Sequence, residues 1–214
     1  METAQTIRKP QPGGYGPLYA IVLAAGAGTR FGGAKLLAPF GDGVLVEAAI
    51  RMARAAPVEG VIVVTQPGME HLPWTRGPGV RAVACAEWAV GMAASLRTGI
   101  ETLPGDAAGA FVFLGDMPRI PVEVLEPLAR ALRDGAPAAA PTFDGRDGHP
   151  VLFARTLFAE LLTLTGDRGA RRVIAALGER AVRIAAPHDG VLLDVDSPGD
   201  LERLRLGERP PIAT

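Results

Sequence analysis

At 214 residues, 48% of them hydrophobic, the chain is long enough for one domain with a sizeable buried core and short for two. Charged residues make up 21% and the net charge is −1, which argues against a strong positive field and so against nonspecific nucleic-acid binding. No run approaches the roughly 18 apolar residues of a membrane span, and the single cysteine, Cys85, excludes an intramolecular disulfide and a cysteine-built zinc site. The expectation is a soluble cytoplasmic domain at 18–206, with a Pro- and Gly-rich leader at 1–17 and a short tail at 207–214.

In chain order, 18–26 (LYAIVLAAG) is an apolar run ending in Gly, which reads as a buried strand feeding a loop. The spacing of Val46, Ala49, Ile50 and Ala53 predicts a helix over 44–56. A strand at 58–68 is stopped by Pro and Gly, and a short helix then a loop follow. A strand at 81–85 precedes a helix at 91–103, and 109–116 (GAFVFLGD) is the most apolar strand. The helix over 121–135 contains Pro127, which predicts a kink or break. Strands at 136–143 and 149–154 flank the turn DGRDG and pair as a hairpin. Helices at 155–164 and 170–178, strands AVRIAA and VLLDVD, and a Ser-Pro helix start at 197–206 complete the pattern. This alternation predicts a three-layer α/β domain around a largely parallel sheet, with ligands outside the carboxyl ends of the strands. The Gly26 loop, Asp116 and the pair Asp194 and Asp196 all follow predicted strands and so gather on one edge.

The stretch 22–35, VLAAGAGTRFGGAK, carries the chemistry. A dinucleotide fingerprint needs a third glycine where Phe31 stands, and a P-loop needs Lys where Ala34 stands. Both motifs fail by one position. The loop still suits an anion: Gly26 and Gly28 let successive N–H groups face one concavity, Arg30 offers a planar fork and Lys35 a point charge. Lysine occurs only at Lys9 and Lys35, so Lys35 stands out in a chain that otherwise uses arginine. The bland alternative is a tight turn with two solvated cations.

The run LAAGAGTRFGGAKLLAPF resembles the opening motif of nucleotidyltransferases with a Rossmann-like α/β/α fold, and most closely the molybdenum cofactor cytidylyltransferases. Four later segments agree in order: EWAVGMAASLRTGI (87–100), FLGDMPRI (113–120), the stretch 145–174 with its Gly-His-Pro and Gly-Asp-x-Gly-Ala-Arg, and LLDVDSPGDLERL (192–204). The resemblance implies Mg²⁺-dependent transfer from CTP to a phosphorylated acceptor, foremost molybdopterin, with a molybdoenzyme as a possible further partner. It implies that Leu23, Ala24, Ala25, Gly26, Gly28, Arg30 and Lys35 hold the nucleotide, and that Gly91, Met92 and Ser95 lie near base and ribose. It implies that Asp116 and Asp196 bind the metal, with Asp194 behind them, and that Gly148, His149 and Pro150 face the acceptor. Arg30, Lys35 and Asp116 would be the catalytic groups. Ala rather than Gly at position 25 goes with CTP rather than GTP in the family.

Structural roles stand beside these. Asp116 and Asp196 could cap a turn and the last helix, Asp167 the helix at 170–178, His149 could be a strand residue, and Trp88 with Met92 could be core. Cys85 in RAVACAEW reads as a small core residue. Arg171 and Arg172 would include at least one solvated side chain. Three other functions compete: the same transfer to a sugar phosphate or other small acceptor, an NAD(P)H-dependent oxidoreductase of the nicotine blue reductase type, and a non-catalytic cofactor carrier on the same fold. The failed fingerprint at Phe31 speaks against the second, and the retained Arg30, Lys35 and Asp116 against the third.

Overall fold

The computed structural model describes residues 16–28, 31–166 and 169–207. The leader up to 15, Arg30, Asp167 and the tail from 208 lie outside the described residues. The strands are β1 (Leu18–Ala24), β2 (Gly60–Thr65), β3 (Val80–Ala84), β4 (Gly109–Leu114), β5 (Ala138–Phe143), β6 (Val151–Ala154) and β7 (Ala181–Ala185). The helices are α1 (Leu45–Ala55), α2 (Met92–Thr102), α3 (Leu125–Arg133), α4 (Phe158–Leu162), α5 (Gly169–Leu177) and α6 (Pro198–Arg205). The sheet is eight-stranded in the order β7-β5-β6-β4-β1-β2-β3, with the short strand Arg146–Asp147 paired only to β5. β6 runs antiparallel to β4 and β5; the other neighbours on the path are parallel.

Strand alternation builds the two faces. Leu18, Ala20, Val22 and Ala24 of β1 pack with Val46 and Ala49 of α1 and Leu125 and Leu128 of α3. Ile21, Leu23 and Ala25 pack on the opposite face with Leu96 and Ile100 of α2 and Val173 and Ile174 of α5. The result is the expected α/β/α sandwich. Its chain order fixes the ligand edge: β1 leads outward to β2 and β3, and the chain then returns to β4 on the other side of β1. The loops after β1 and β4 therefore diverge and leave a crevice at the carboxyl ends of these strands.

Two expectations need correction. Pro127 neither kinks nor breaks a helix. A short 3-10 turn covers Val122–Val124, and α3 starts at Leu125, so Pro127 stands in its first turn, where a backbone N–H has no intrahelical partner to lose. VLLDVD is not a strand either. It is a 3-10 turn at Asp189–Val191 and an irregular segment up to α6, tied by single bonds from His149 N to Val191 O (2.8 Å) and from Val195 N to Asp116 O (3.0 Å). Leu193 and Val195 are buried against Leu45, Leu201 and Leu204. The apolar alternation marks burial against a helix pair, not membership of the sheet. The hairpin at 136–154 stands, with the short strand Arg146–Asp147 inside its turn.

Candidate active site

The glycine loop leaves β1 at Ala25 and folds back on itself. Phe31 N and Gly33 N both donate to Gly28 O, at 2.9 and 3.1 Å. Gly28 has φ +60°, and a Cβ there would lie 3.1 Å from the Cβ of Lys35, so both its conformation and its neighbour demand glycine. From the side, Gln66 at the end of β2 donates its Nε2 to Ala25 O (3.3 Å) and Gly26 O (3.2 Å). Those carbonyls are thereby occupied away from any anion. Facing the loop is the N-terminus of α2, opened by Gly91 at φ 132°, with Met92 and Ser95 on its first turns.

Together these elements enclose a cavity of about 260 Å³, lined among others by Leu23, Ala25, Gly26, Gly28, Lys35 and Asp116, with Gly91, Met92 and Ser95 opposite. Most of the sequence-predicted nucleotide residues thus meet in one place. Ala24 does not: it is 1% exposed and faces the α1 and α3 side of the core. Trp88, read as equally suited to core packing, lines this cavity beside Met92. Cys85 is buried, as expected.

Lys35 is the hub. Its Nζ lies 2.7 Å from Asp116 Oδ2 and 3.4 Å from Asp196 Oδ1. Burial pulls its ammonium down, but the charge and hydrogen bond of Asp116, then those of Asp196, outweigh this and raise it above the usual lysine value. Asp194 is pushed up, chiefly by burial, then by the charges of Asp116 and Asp196; Lys35 offsets only part. Asp196 does not cap α6 with its side chain. Ser197 and Asp200 form that capping box, and the Asp196 carboxylate turns to Lys35.

Two carboxylates thus contact one ammonium, and the charge of a third, Asp194, acts on the same cluster. That surplus negative charge suits a divalent cation. Among the described residues no group of three or more His, Cys, Asp or Glu side chains is set to hold a metal by itself. Mg²⁺ is commonly held by one or two carboxylates together with substrate phosphates, so the donor set fits a metal that arrives with a phosphate ligand.

A second cavity, about 670 Å³, shares Leu23, Met92 and Leu114 with the first and adds Leu96, Val112, His149, Ala170, Arg171, Arg172 and Asp194. His149 is 4% exposed, with Nδ1 3.4 Å from Val112 O. Burial, reinforced by the charge of Arg171, lowers its imidazole to about 4, so it is neutral at pH 7. Of the residues expected to face an acceptor, only His149 lines this cavity. Gly148 is packed against the 189–191 turn, where a Cβ would lie 2.4 Å from Val191 O, and Pro150 is buried. Gln66, Leu114 and the cavity position of Arg171 escaped the sequence reading. Gln66 lies outside every motif, and only its place at the end of a strand beside β1 hints at its role.

Residues 20–182 match the model of the MobA-like NTP transferase domain. The chain is 27% identical over 199 residues to the purine catabolism protein PucB of Bacillus subtilis, covering 88% of this chain and 96% of the relative. It is 22% identical over 181 residues to the molybdenum cofactor cytidylyltransferase of Escherichia coli, covering 84% and 91%. Among solved structures, Rv0371c of Mycobacterium tuberculosis in complex with manganese superposes with a TM-score of 0.73 at 26% identity, covering 88% of this chain and 97% of that one. A nucleotidyl transferase from Methanothermobacter thermautotroptrophicus gives 0.74 at 25%, covering 89% and 97%. With its glycine loop, lysine and carboxylates gathered at the β1–β4 crevice, the chain belongs to the MobA-like NTP transferase domain family and is a nucleotidyltransferase.

Proposed function

We propose that the chain transfers a cytidylyl group from CTP to a phosphorylated small-molecule acceptor, foremost molybdopterin, releasing pyrophosphate. One observation carries the reading: two cavities of different character share a wall at Leu23, Met92 and Leu114, with Lys35 and Asp116 in the first and Asp194 in the second. A nucleotide in the first and an acceptor in the second meet at that wall. The name of the Escherichia coli relative supports the acceptor, and Ala25, lining the first cavity, supports CTP through the family pattern. The Bacillus subtilis relative is named for purine catabolism, so another phosphorylated acceptor is the natural outcome to test beside molybdopterin.

In the transfer, an acceptor phosphate oxygen bonds to the α-phosphorus while the bond to the β-phosphate oxygen breaks, and pyrophosphate leaves with the electron pair. The attacking oxygen is already anionic, so no general base is required. The barrier lies in bringing anions together and in charge on the leaving group. Loop N–H groups between Ala25 and Gly28 and the Lys35 ammonium offset that charge, with Arg30 assigned to the same task. Asp116 and Asp196 would hold Mg²⁺, which when bound screens the phosphate oxygens. Lys35, held by both carboxylates, lies within reach of the loop and the metal residues alike.

Offered CTP, GTP, ATP or UTP with Mg²⁺ and molybdenum-loaded molybdopterin, the enzyme is expected to release pyrophosphate with CTP, at least about tenfold faster than with GTP. Ala25→Gly should lower that ratio. An unchanged CTP-to-GTP ratio in Ala25→Gly removes the base assignment, and release only with a different acceptor removes molybdopterin.

A further inference from the structure

Nucleotide handling leaves two features of the second cavity unused. The first is His149. Its Nδ1 faces the Val112 carbonyl, which can only accept, so Nδ1 carries the proton of the neutral ring and Nε2 is left as a bare acceptor. Among the described residues nothing bonds Nε2, and the ring lines a cavity whose walls at Leu23, Leu96, Val112 and Leu114 are apolar. An acceptor in such surroundings calls for a donor from the occupant. The second feature is Arg171, on the first turn of α5, which lines the same cavity and lies close enough for its charge to act on His149. Among the described residues Arg171 has no carboxylate partner.

We propose that this cavity selects its occupant by two contacts at once: the Arg171 guanidinium takes a phosphate, and His149 Nε2 accepts from an N–H or O–H group on the body of the same molecule. The inference rests on reading the second cavity as the acceptor side of the site. Arg171 is a binding residue for the anion, and His149 sets specificity. A phosphorylated molecule without a donor, or a donor without a phosphate, satisfies only half of the cavity.

The first arm of the test needs no acceptor. The chain has 3 histidines, so nitrogen-15 NMR of the imidazoles resolves them, and His149→Phe assigns the His149 signals. The full chain is titrated with inorganic phosphate in a phosphate-free buffer at pH 7. His149 is expected to show a neutral ring protonated at Nδ1, and its ring signals are expected to shift as phosphate offsets the Arg171 charge beside it in the wild type but not in Arg171→Ala. A ring protonated at Nε2, or an equal phosphate shift in Arg171→Ala, overturns the proposal. In turnover, His149→Phe and Arg171→Ala should each raise the KM for molybdenum-loaded molybdopterin at least about tenfold and leave that for CTP within about twofold. Equal rises in both KM values would make the roles merely structural. Failure of the wild type to turn over CTP refutes the reaction assignment and leaves the NMR result to judge this inference.

Discussion

The two cavities that share the β1–β4 wall are built in opposite ways. The first is made of charge and backbone: a glycine loop, one ammonium and one carboxylate, with Lys35 Nζ 2.7 Å from Asp116. The second is an apolar box with a neutral imidazole, two arginines at its edge and one carboxylate. Each suits a different partner. A triphosphate offers many equivalent oxygens, so a concave set of N–H groups and a cation recognise it without fine shape. An acceptor must be told apart from other phosphorylated molecules, and apolar shape with a single directional acceptor does that. On the proposed reading, one side of the crevice binds and the other chooses.

The sharpest challenge to this contrast is Asp116→Asn, which removes a charge from the first cavity and replaces no residue that lines the second. Metal-dependent pyrophosphate release should fall by about 10³ or more, with a melting temperature close to wild type. Near-normal turnover would remove Asp116 from the charge apparatus.

Lowering the pH probes the second cavity. The His149 imidazole titrates at about 4 in the folded chain and near its ordinary 6.5 when unfolded. Between these values the unfolded chain binds the proton and the folded chain does not, so the stability that this ring contributes is present above about pH 6.5 and lost as pH falls toward 4. The loss is on the order of 3 kcal/mol. Denaturant melts across that window should show a steeper acid slope for wild type than for His149→Phe. Equal slopes would mean that the ring is not a desolvated neutral acceptor.

The smallest expected effect sharpens the first cavity. Gln66→Ala frees the Ala25 and Gly26 carbonyls from their side-chain donor. It should cost about 1 kcal/mol of nucleotide binding, read as a roughly fivefold rise in the KM for CTP with the acceptor KM unchanged.

The same contrast decides what was legible in the sequence. The first cavity draws mostly on two local stretches of sequence, 25–35 and 91–95, with Leu114 and Asp116 added from the end of β4. Spacing alone spoke against a dinucleotide fingerprint and a P-loop, and left an anion-holding loop beside a tight turn with two solvated cations. The second cavity draws on Leu23, Leu96, Val112, His149, Arg171 and Asp194, which only the tertiary fold brings together. Motifs pointed to His149 and Asp194, but no local pattern joins them to Leu96, Val112 and Arg171. The family resemblance implied Gly148 as an acceptor residue, yet in the fold it lets the 189–191 turn approach. Elements were legible where an apolar period marked them, as in α1, or where a capping start did, as in α6. They were not where burial imitated a strand, as at 192–196, or where Pro127 was read without knowing that a helix begins two residues earlier.

Transfer of label from CTP, radiolabelled at the α-phosphate, into molybdenum-loaded molybdopterin, with a parallel NADPH titration, decides the proposed reaction. Labelled acceptor is expected only with a divalent cation and is expected to be lost in Asp116→Asn. No labelled product with any of the four nucleoside triphosphates, together with saturable NADPH binding, would contradict it and turn the crevice over to redox work.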